Sequence, residues 1–242
     1  MYMINLTGRE KEILKSIIEE YVKSAKPVSS RLIEKKYGFD VCPATIRIEM
    51  QKLTDAGYIC QPHTSAGRIP TDKGYRFYVN ELLERGFPAQ KRDLRTENWI
   101  EEEMGDTVRL FQSMTKNLAL FSSNLALGYL PEKNILWKEG WEEMLREPEF
   151  KESDFLSEFT SLLGDFEEDI KELKPGSGIR VYIGKENPFS HAKEFSTIVS
   201  NCRLPNKEEG LLAIVGPKRM SYDKNIASLN HLIRSLDELV NF

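Results

Sequence analysis

The sequence predicts an α+β fold in two parts, an N-terminal winged helix-turn-helix followed by a second α+β domain with a mainly antiparallel sheet. In the first third, the hydrophobic patterns follow the order helix, helix, helix, hairpin. Further along, several short apolar runs separated by turn residues indicate sheet strands. Charge divides the chain in the same way, since residues 1–85 carry 14 basic and 11 acidic side chains and the remainder carries 20 and 27. A mildly basic part joined to an acidic part indicates two modules with different partners.

Composition narrows the class of protein. Of the 242 residues, 40% are hydrophobic and 30% charged, which predicts a packed core. No apolar run approaches the roughly 18 residues of a membrane span, and the first residues lack the pattern of a signal peptide, so we expect a soluble, cytoplasmic protein. Three scattered cysteines and three histidines predict neither a disulfide framework nor a metal site.

The first third begins with three helical patterns. Thr7 and Glu10 have the spacing of a capping box and open the first helix. Ser29 is a suitable cap for a short second helix, which Gly38 closes. Pro43 suits the first position of a third helix.

A hairpin and a fourth helix follow these three helices. Residues 58–60 and 68–69 predict two short strands, and residues 61–67 predict an exposed polar turn between them. Thr71 and Asp72 then begin the fourth helix. We expect its aromatic residues to pack against the hairpin and not to stack on bases.

The second part contains helices and strands in mixed order after a polar linker at 86–96. We expect a mainly antiparallel sheet from these segments. The segments are a helix at about 97–118, strands at 125–130 and 135–137, acidic helices over 140–173, a turn at 175–178, strands at 179–184, 196–204 and 211–216, and a helix from Tyr222.

The third helix has the pattern of a DNA recognition helix. Ile46, Met50 and Leu53 share one face, which predicts the buried side. The outward and flanking positions carry small, polar and basic side chains that suit a major groove. These candidate contacts are Ala44, Thr45, Arg47, Ile48, Gln51 and Lys52.

The turn of the hairpin and the fourth helix add candidate contacts to the DNA backbone. Small residues let a hairpin tip approach the sugar-phosphate chain, and an arginine at its end can enter a minor groove or pair with phosphate. Two basic residues one helical turn apart can clamp a second phosphate segment. These candidates are His63, Thr64, Ser65, Gly67, Arg68, Lys73 and Arg76. The alternative for each charge is a solvated surface side chain.

Long motifs at both ends resemble one bacterial family. Residues 61–79 (QPHTSAGRIPTDKGYRFYV) and 43–47 (PATIR) are similar to the heat-inducible transcription repressor HrcA family, as are residues 180–188 and 216–222. The resemblance is strong over about 1–82 and 179–240 and weak between them.

The resemblance implies a dimeric repressor of chaperone operons that binds double-stranded DNA at an inverted-repeat operator called CIRCE. It implies a winged helix at 1–85, a linker at 86–96 and a GAF-like regulatory and dimerisation domain at 97–242, usually with an inserted dimerising subdomain. It also implies support by the GroEL chaperonin. We expect no cofactor, no metal, no membrane partner and no enzymatic activity.

Three departures from the family pattern bear on function. Ile48 stands where the family usually has Asn, a residue that reads adenine bidentately. Cys42 replaces the usual Ser cap before the third helix. The chain is also shorter than typical members, and the shortfall around residues 125–150 indicates that most of the inserted subdomain is missing.

The sequence leaves three other classes of function to compare with a repressor. An enzyme is disfavoured because no glycine-rich phosphate loop, nucleophile elbow or paired catalytic histidine is found. A ligand-gated regulator with a different operator remains open, since a GAF-like domain can sense a small molecule. A protein-interaction module that has lost DNA binding is disfavoured by the intact basic residues of the third helix and the hairpin.

Overall fold

The structure, a computed structural model, describes residues 6–86, 99–100, 102–176 and 178–240. Most of the predicted linker and the first five residues lie outside this part of the chain. The chain divides into two compact units, Met1–Arg85 and Gly86–Phe242.

The first unit has the predicted order of three helices, a hairpin and a fourth helix. Thr7 and Glu10 form the predicted capping box, with the Thr7 amide donating to the Glu10 carboxylate at 2.7 Å. Gly38 closes the second helix in the left-handed region. The elements are α1 (Gly8–Ser24), α2 (Ser30–Tyr37), α3 (Pro43–Asp55), β1 (Ile59–Cys60), β2 (Ile69–Pro70) and α4 (Asp72–Arg85).

The core of the first unit lies where α1, α3 and α4 meet. Leu14, Ile17, Ile46 and Val79 have no exposed surface. The aromatic residues of α4 pack inward as expected, since Tyr75 is 2% exposed. The hairpin base therefore rests on the same core as α3, and this fixes its position relative to that helix.

The sequence did not predict one additional pairing in this unit. Val28, in the connection between α1 and α2, forms a β-bridge with Arg68 after the hairpin loop. The two backbone hydrogen bonds between them measure 2.9 and 2.8 Å. The connection before α2 therefore acts as a third strand and holds the end of the loop against the helical body.

The second unit is built on a five-stranded antiparallel sheet in the order β4-β3-β7-β6-β5. The predicted α+β class with a mainly antiparallel sheet is confirmed. Its strands are β3 (Leu125–Leu130), β4 (Ile135–Glu139), β5 (Arg180–Ile183), β6 (Phe195–Arg203) and β7 (Glu209–Pro217). From residue 107 onward its α-helices are α5 (Thr107–Ser122), α6 (Trp141–Met144), α7 (Ser153–Asp169) and α8 (Tyr222–Val240).

The helix expected at about 97–118 has different bounds in the structure. The chain turns at residues 104–105, and α5 begins at Thr107. Asp106 causes this start because its carboxylate accepts the amides of Val108 and Arg109, both at 3.1 Å. The helix then continues to Ser122, four residues beyond the predicted end.

The sheet of the second unit is covered on both faces. Phe159, Leu162 and Phe166 of α7 pack with the strand residues of one face in a single buried cluster. On the other face, Phe111 of α5 lies so close to Gly210 that a Cβ there would stand 2.5 Å from its ring. The glycine thus lets α5 approach the sheet closely.

The described residues include neither a membrane-spanning helix nor a metal-binding cluster. No helix in the part of the chain that the structure describes is long and apolar enough to cross a membrane. Within the same residues, no group of three or more His, Cys, Asp or Glu side chains is placed to hold a metal ion.

Candidate nucleic-acid interface

Helix α3 has one buried and one exposed face. Ile46 and Leu53 are fully buried and Met50 is 4% exposed. On the opposite side, Ile48 is 59% exposed, an unusual position for a large apolar side chain in a folded unit. Thr45 is half-buried. The other outward candidates are also exposed, namely Ala44, Arg47, Gln51 and Lys52.

The N-terminus of α3 lacks a side-chain cap. Cys42 occupies the cap position and makes no capping hydrogen bond. Its exposed Sγ lies 3.4 Å from the hydroxyl oxygen of Thr45. That hydroxyl, together with nearby backbone amides of α3, lowers the pKa of the Cys42 thiol.

We predict that Cys42→Ser stabilises the first unit by about 0.5–1 kcal/mol, because a serine hydroxyl accepts a hydrogen bond from an unpaired amide of the first turn. Hydrogen exchange of the α3 backbone amides measures the effect. The matched control is Cys60→Ser, an exposed cysteine in β1 with no capping position. Equal protection of α3 in both variants and in the wild type would contradict the prediction.

The loop of the hairpin is exposed but internally ordered. The Gln61 side-chain amide donates to the carbonyl oxygens of Thr64 at 2.8 Å and Ala66 at 3.0 Å. The His63 ring nitrogen Nδ1 lies 3.3 Å from the Ser65 hydroxyl. Thr64 and Ser65 are exposed at the tip. The loop thus presents small polar groups from a defined backbone conformation.

Arg68 joins the hairpin to α3. Its Nε donates to the Thr54 hydroxyl at 3.0 Å, and its Nη2 donates to the Gln51 side-chain oxygen at 3.2 Å. Its backbone pairs with Val28. Two of the predicted DNA contacts, Arg68 and Gln51, are therefore brought together, and the arginine lies along the helix instead of projecting from the loop.

The remaining basic candidates differ in their surroundings. Lys52 pairs with Glu49 at 3.1 Å on the same helix. Lys73 donates to the carbonyl oxygen of Ala56 at 2.7 Å, so it contacts the C-terminal end of α3, and Arg76 is half-buried on α4. Among the five basic candidates, Arg47 alone makes no hydrogen bond or ion pair with any residue that the structure describes.

Two residues near this surface were not among the sequence-derived candidates. The sequence predicts Ser29 only as the cap of α2, and Ser30 is not among the predicted DNA contacts. Both line a cleft that also contains Arg47 and Arg68. The sequence does show that the first turn of α2 has no acidic residue, which favours an anion at that end of the helix. The proximity of this turn to α3, however, depends on the tertiary fold.

Comparison with known proteins shows the family. A family profile described as the HrcA protein C-terminal domain matches residues 75–226, more than half of the chain. The chain belongs to the HrcA family. Its motifs at 43–47, 61–79, 180–188 and 216–222 are thus those of a family member.

Relatives match along nearly the whole chain. The heat-inducible transcription repressor HrcA of Thermodesulfovibrio yellowstonii is 27% identical, with 96% of this chain and 97% of the relative covered. The repressor of the same name from Caldanaerobacter subterraneus subsp. tengcongensis is 28% identical over 98% and 97%. That of Desulforudis audaxviator is 44% identical over 132 residues, 52% of this chain and 38% of the relative. The first alignment spans 340 residues, so the aligned region of the relative includes residues that this chain of 242 residues lacks.

A solved structure shows the same fold. The crystal structure described as that of a hypothetical protein at 2.2 Å resolution has a TM-score of 0.84 and 21% sequence identity. The match covers 98% of this chain and 99% of the other.

Proposed function

We propose that this protein is a sequence-specific DNA-binding transcription repressor of heat-shock operons. In this proposal residues 1–85 form a winged helix-turn-helix, 86–96 a linker, and 97–242 a GAF-like regulatory and dimerisation domain. The observation that carries it is the exposed face of α3, which Arg68 ties to an exposed polar loop. Such a face presents hydrogen-bonding groups to base edges, and such a loop approaches the backbone. The names of the relatives support the repressor role.

The proposed operator is an inverted repeat of the CIRCE type, bound by a homodimer. A single recognition helix reads few base pairs, and a two-fold dimer places one helix on each half-site. The net charge of the second part, −7 from the sequence, favours its placement away from phosphates. The GroEL chaperonin as a modulator remains a prediction from the family resemblance.

Selection of duplexes from a randomised pool tests this function. The wild-type chain is expected to enrich sequences with two inverted copies of one motif, whose centres lie a whole number of helical turns apart. The oligomeric state is measured in parallel by analytical ultracentrifugation with and without the selected duplex. Absence of enrichment would contradict the DNA-binding function, and a monomer in both conditions would contradict the dimer.

The alternative is a regulator whose second domain senses a small molecule. It predicts release of the selected duplex by a metabolite extract without any chaperonin. The repressor proposal predicts no release by the low-molecular-weight fraction. The same labelled duplex and the same anisotropy signal serve both measurements.

We predict that Ile48→Asn changes base preference at one position of each half-site by about 1–3 kcal/mol. Ile48 is exposed on the outward face, and an apolar side chain there contacts a thymine methyl group, whereas Asn pairs bidentately with adenine. Binding to duplexes with single base changes measures the shift. Lys35→Asn, an exposed position on α2, is the control. An unchanged base preference in Ile48→Asn would place this residue outside the base-reading set.

A further inference from the structure

A cleft of about 330 Å³ lies in the first unit where α2, α3 and the hairpin loop meet. Its lining residues come from the start of α2, from α3 (Arg47 and Met50) and from the hairpin loop. Its lining includes two arginines and no acidic residue. The cleft is therefore electropositive and suited to an anion.

The start of α2 adds hydrogen-bond donors to this cleft. Ser29 caps the helix, and its hydroxyl accepts the amide of Leu32 at 3.2 Å. The amides of Ser30 and Arg31 donate to no group that the structure describes, as is usual for a first helical turn. No acidic side chain occupies this turn, so the positive end of the helix dipole is uncompensated.

Ser30 is a second and independent observation. It is only 7% exposed and lines the cleft, yet its hydroxyl makes no hydrogen bond within the described residues. The Ser30 hydroxyl is not one of the fully buried side-chain polar atoms without a partner, so it is open to the cleft. At the wall of the cleft it is thus available to donate a hydrogen bond to a ligand.

Arg47 supplies a charged donor at the same place. Its guanidinium is exposed, borders the cleft and makes no ion pair with any described residue. A guanidinium matches the oxygens of phosphate with two parallel hydrogen bonds. The amides, the hydroxyl and the guanidinium together match a tetrahedral oxyanion.

We infer that this cleft binds one phosphodiester group of the DNA backbone, with donors from the α2 N-terminus, Ser30 and Arg47. The inference rests on the proposed function and adds an anchor that sets the position of α3 along the groove. A free phosphate offers the same chemistry. The backbone is favoured because the cleft lies between the two elements proposed to contact DNA, the face of α3 and the hairpin loop.

The test uses the full chain and a duplex selected by the wild type, with single phosphates replaced by neutral methylphosphonates. The wild type is expected to lose about tenfold in affinity at one phosphate of each half-site. Ser30→Ala is expected to bind the unmodified duplex about tenfold more weakly, with no further loss at that phosphate. Arg47→Ala is expected to show the same pattern and to lower the salt slope by about 0.9.

Matched controls separate the site from general charge and from folding. Arg9→Ala removes an exposed arginine of α1 outside the cleft lining and is expected to retain the wild-type loss at the same phosphate. Ser30→Ala keeps a good helix former at the first position of α2, so its hydrogen exchange is expected to match that of the wild type.

The outcomes distinguish the inference from the proposed function. If the wild type binds no duplex, both are overturned. If it binds DNA but the losses from Ser30→Ala and the methylphosphonates simply add at every position, the phosphate anchor alone is overturned. A second pair of results also overturns the anchor. In this case inorganic phosphate at constant ionic strength protects the α2 amides from exchange, and no methylphosphonate has an effect that depends on Ser30. The cleft would then bind a free anion.

Discussion

Replacing Gly67 by alanine is expected to weaken DNA binding tenfold or more, about 1.4 kcal/mol. An added Cβ at this position would stand 2.4 Å from the carbonyl oxygen of Val28 and 2.7 Å from its nitrogen. These are backbone atoms that cannot rotate away. The bridge between Val28 and Arg68 must therefore open, and the loop loses its attachment to the helical body.

The same change is expected to lower the free energy of unfolding of the first unit by about 1–3 kcal/mol. Hydrogen exchange of the hairpin amides measures the stability, and anisotropy of a labelled selected duplex measures the affinity. Gly8→Ala is the control, because an added Cβ there has no atom within 4 Å apart from its chain neighbours and the nearby backbone of its own helix. It is expected to leave both quantities unchanged or to raise stability slightly. Wild-type affinity in Gly67→Ala would show that the loop position does not matter for binding.

The second large effect is expected in the second unit, where a nearly buried arginine is surrounded by carboxylates. Arg219 has a side chain 10% exposed and pairs with Glu147 and Glu149, the Nη2 group lying 2.9 Å from Oε2 of Glu149. Changing both glutamates to glutamine removes these two negative charges from beside the buried cation. We expect a loss of about 3 kcal/mol in the free energy of unfolding.

Arg219→Met is the contrasting variant. It removes the buried cation and keeps the volume, and the glutamates it leaves behind are 36% and 24% exposed and can be hydrated. The expected loss is therefore smaller, about 1 kcal/mol. All three tryptophans lie beyond residue 98, so tryptophan fluorescence in urea follows the second unit. A larger loss in Arg219→Met than in the double glutamine variant would contradict this account of the cluster.

Local signals explain why most elements were predictable from the sequence. The capping box of Thr7 and Glu10 and the glycine at 38 act within a few residues, so the bounds of α1 and α2 follow from them. The start of α5 was placed too early because apolar residues recur at helical spacing through Met104, before the N-cap at Asp106. Periodicity alone does not show where a helix is interrupted.

The sequence predicts which residues belong to the candidate interface, but it does not predict which of them contact one another. The faces of α3 follow from its period, and Ile48 is exposed as expected. The side-chain bonds of Arg68 to Thr54 and Gln51 depend on a hairpin that returns to α3, and the bridge to Val28 joins residues 40 positions apart. For the same reason, the cleft beside Ser30 could not be derived from spacing along the chain.

Titration of the selected inverted-repeat duplex against a shuffled duplex, at several salt concentrations, tests the central claim most directly. The account predicts a preference of about three decades or more for the repeat at physiological salt. It also predicts that the preference persists as salt rises, while the affinities for both duplexes fall. Equal affinity for the two duplexes with a steep salt slope would mean that the protein contacts phosphates alone, and it would contradict a sequence-specific repressor.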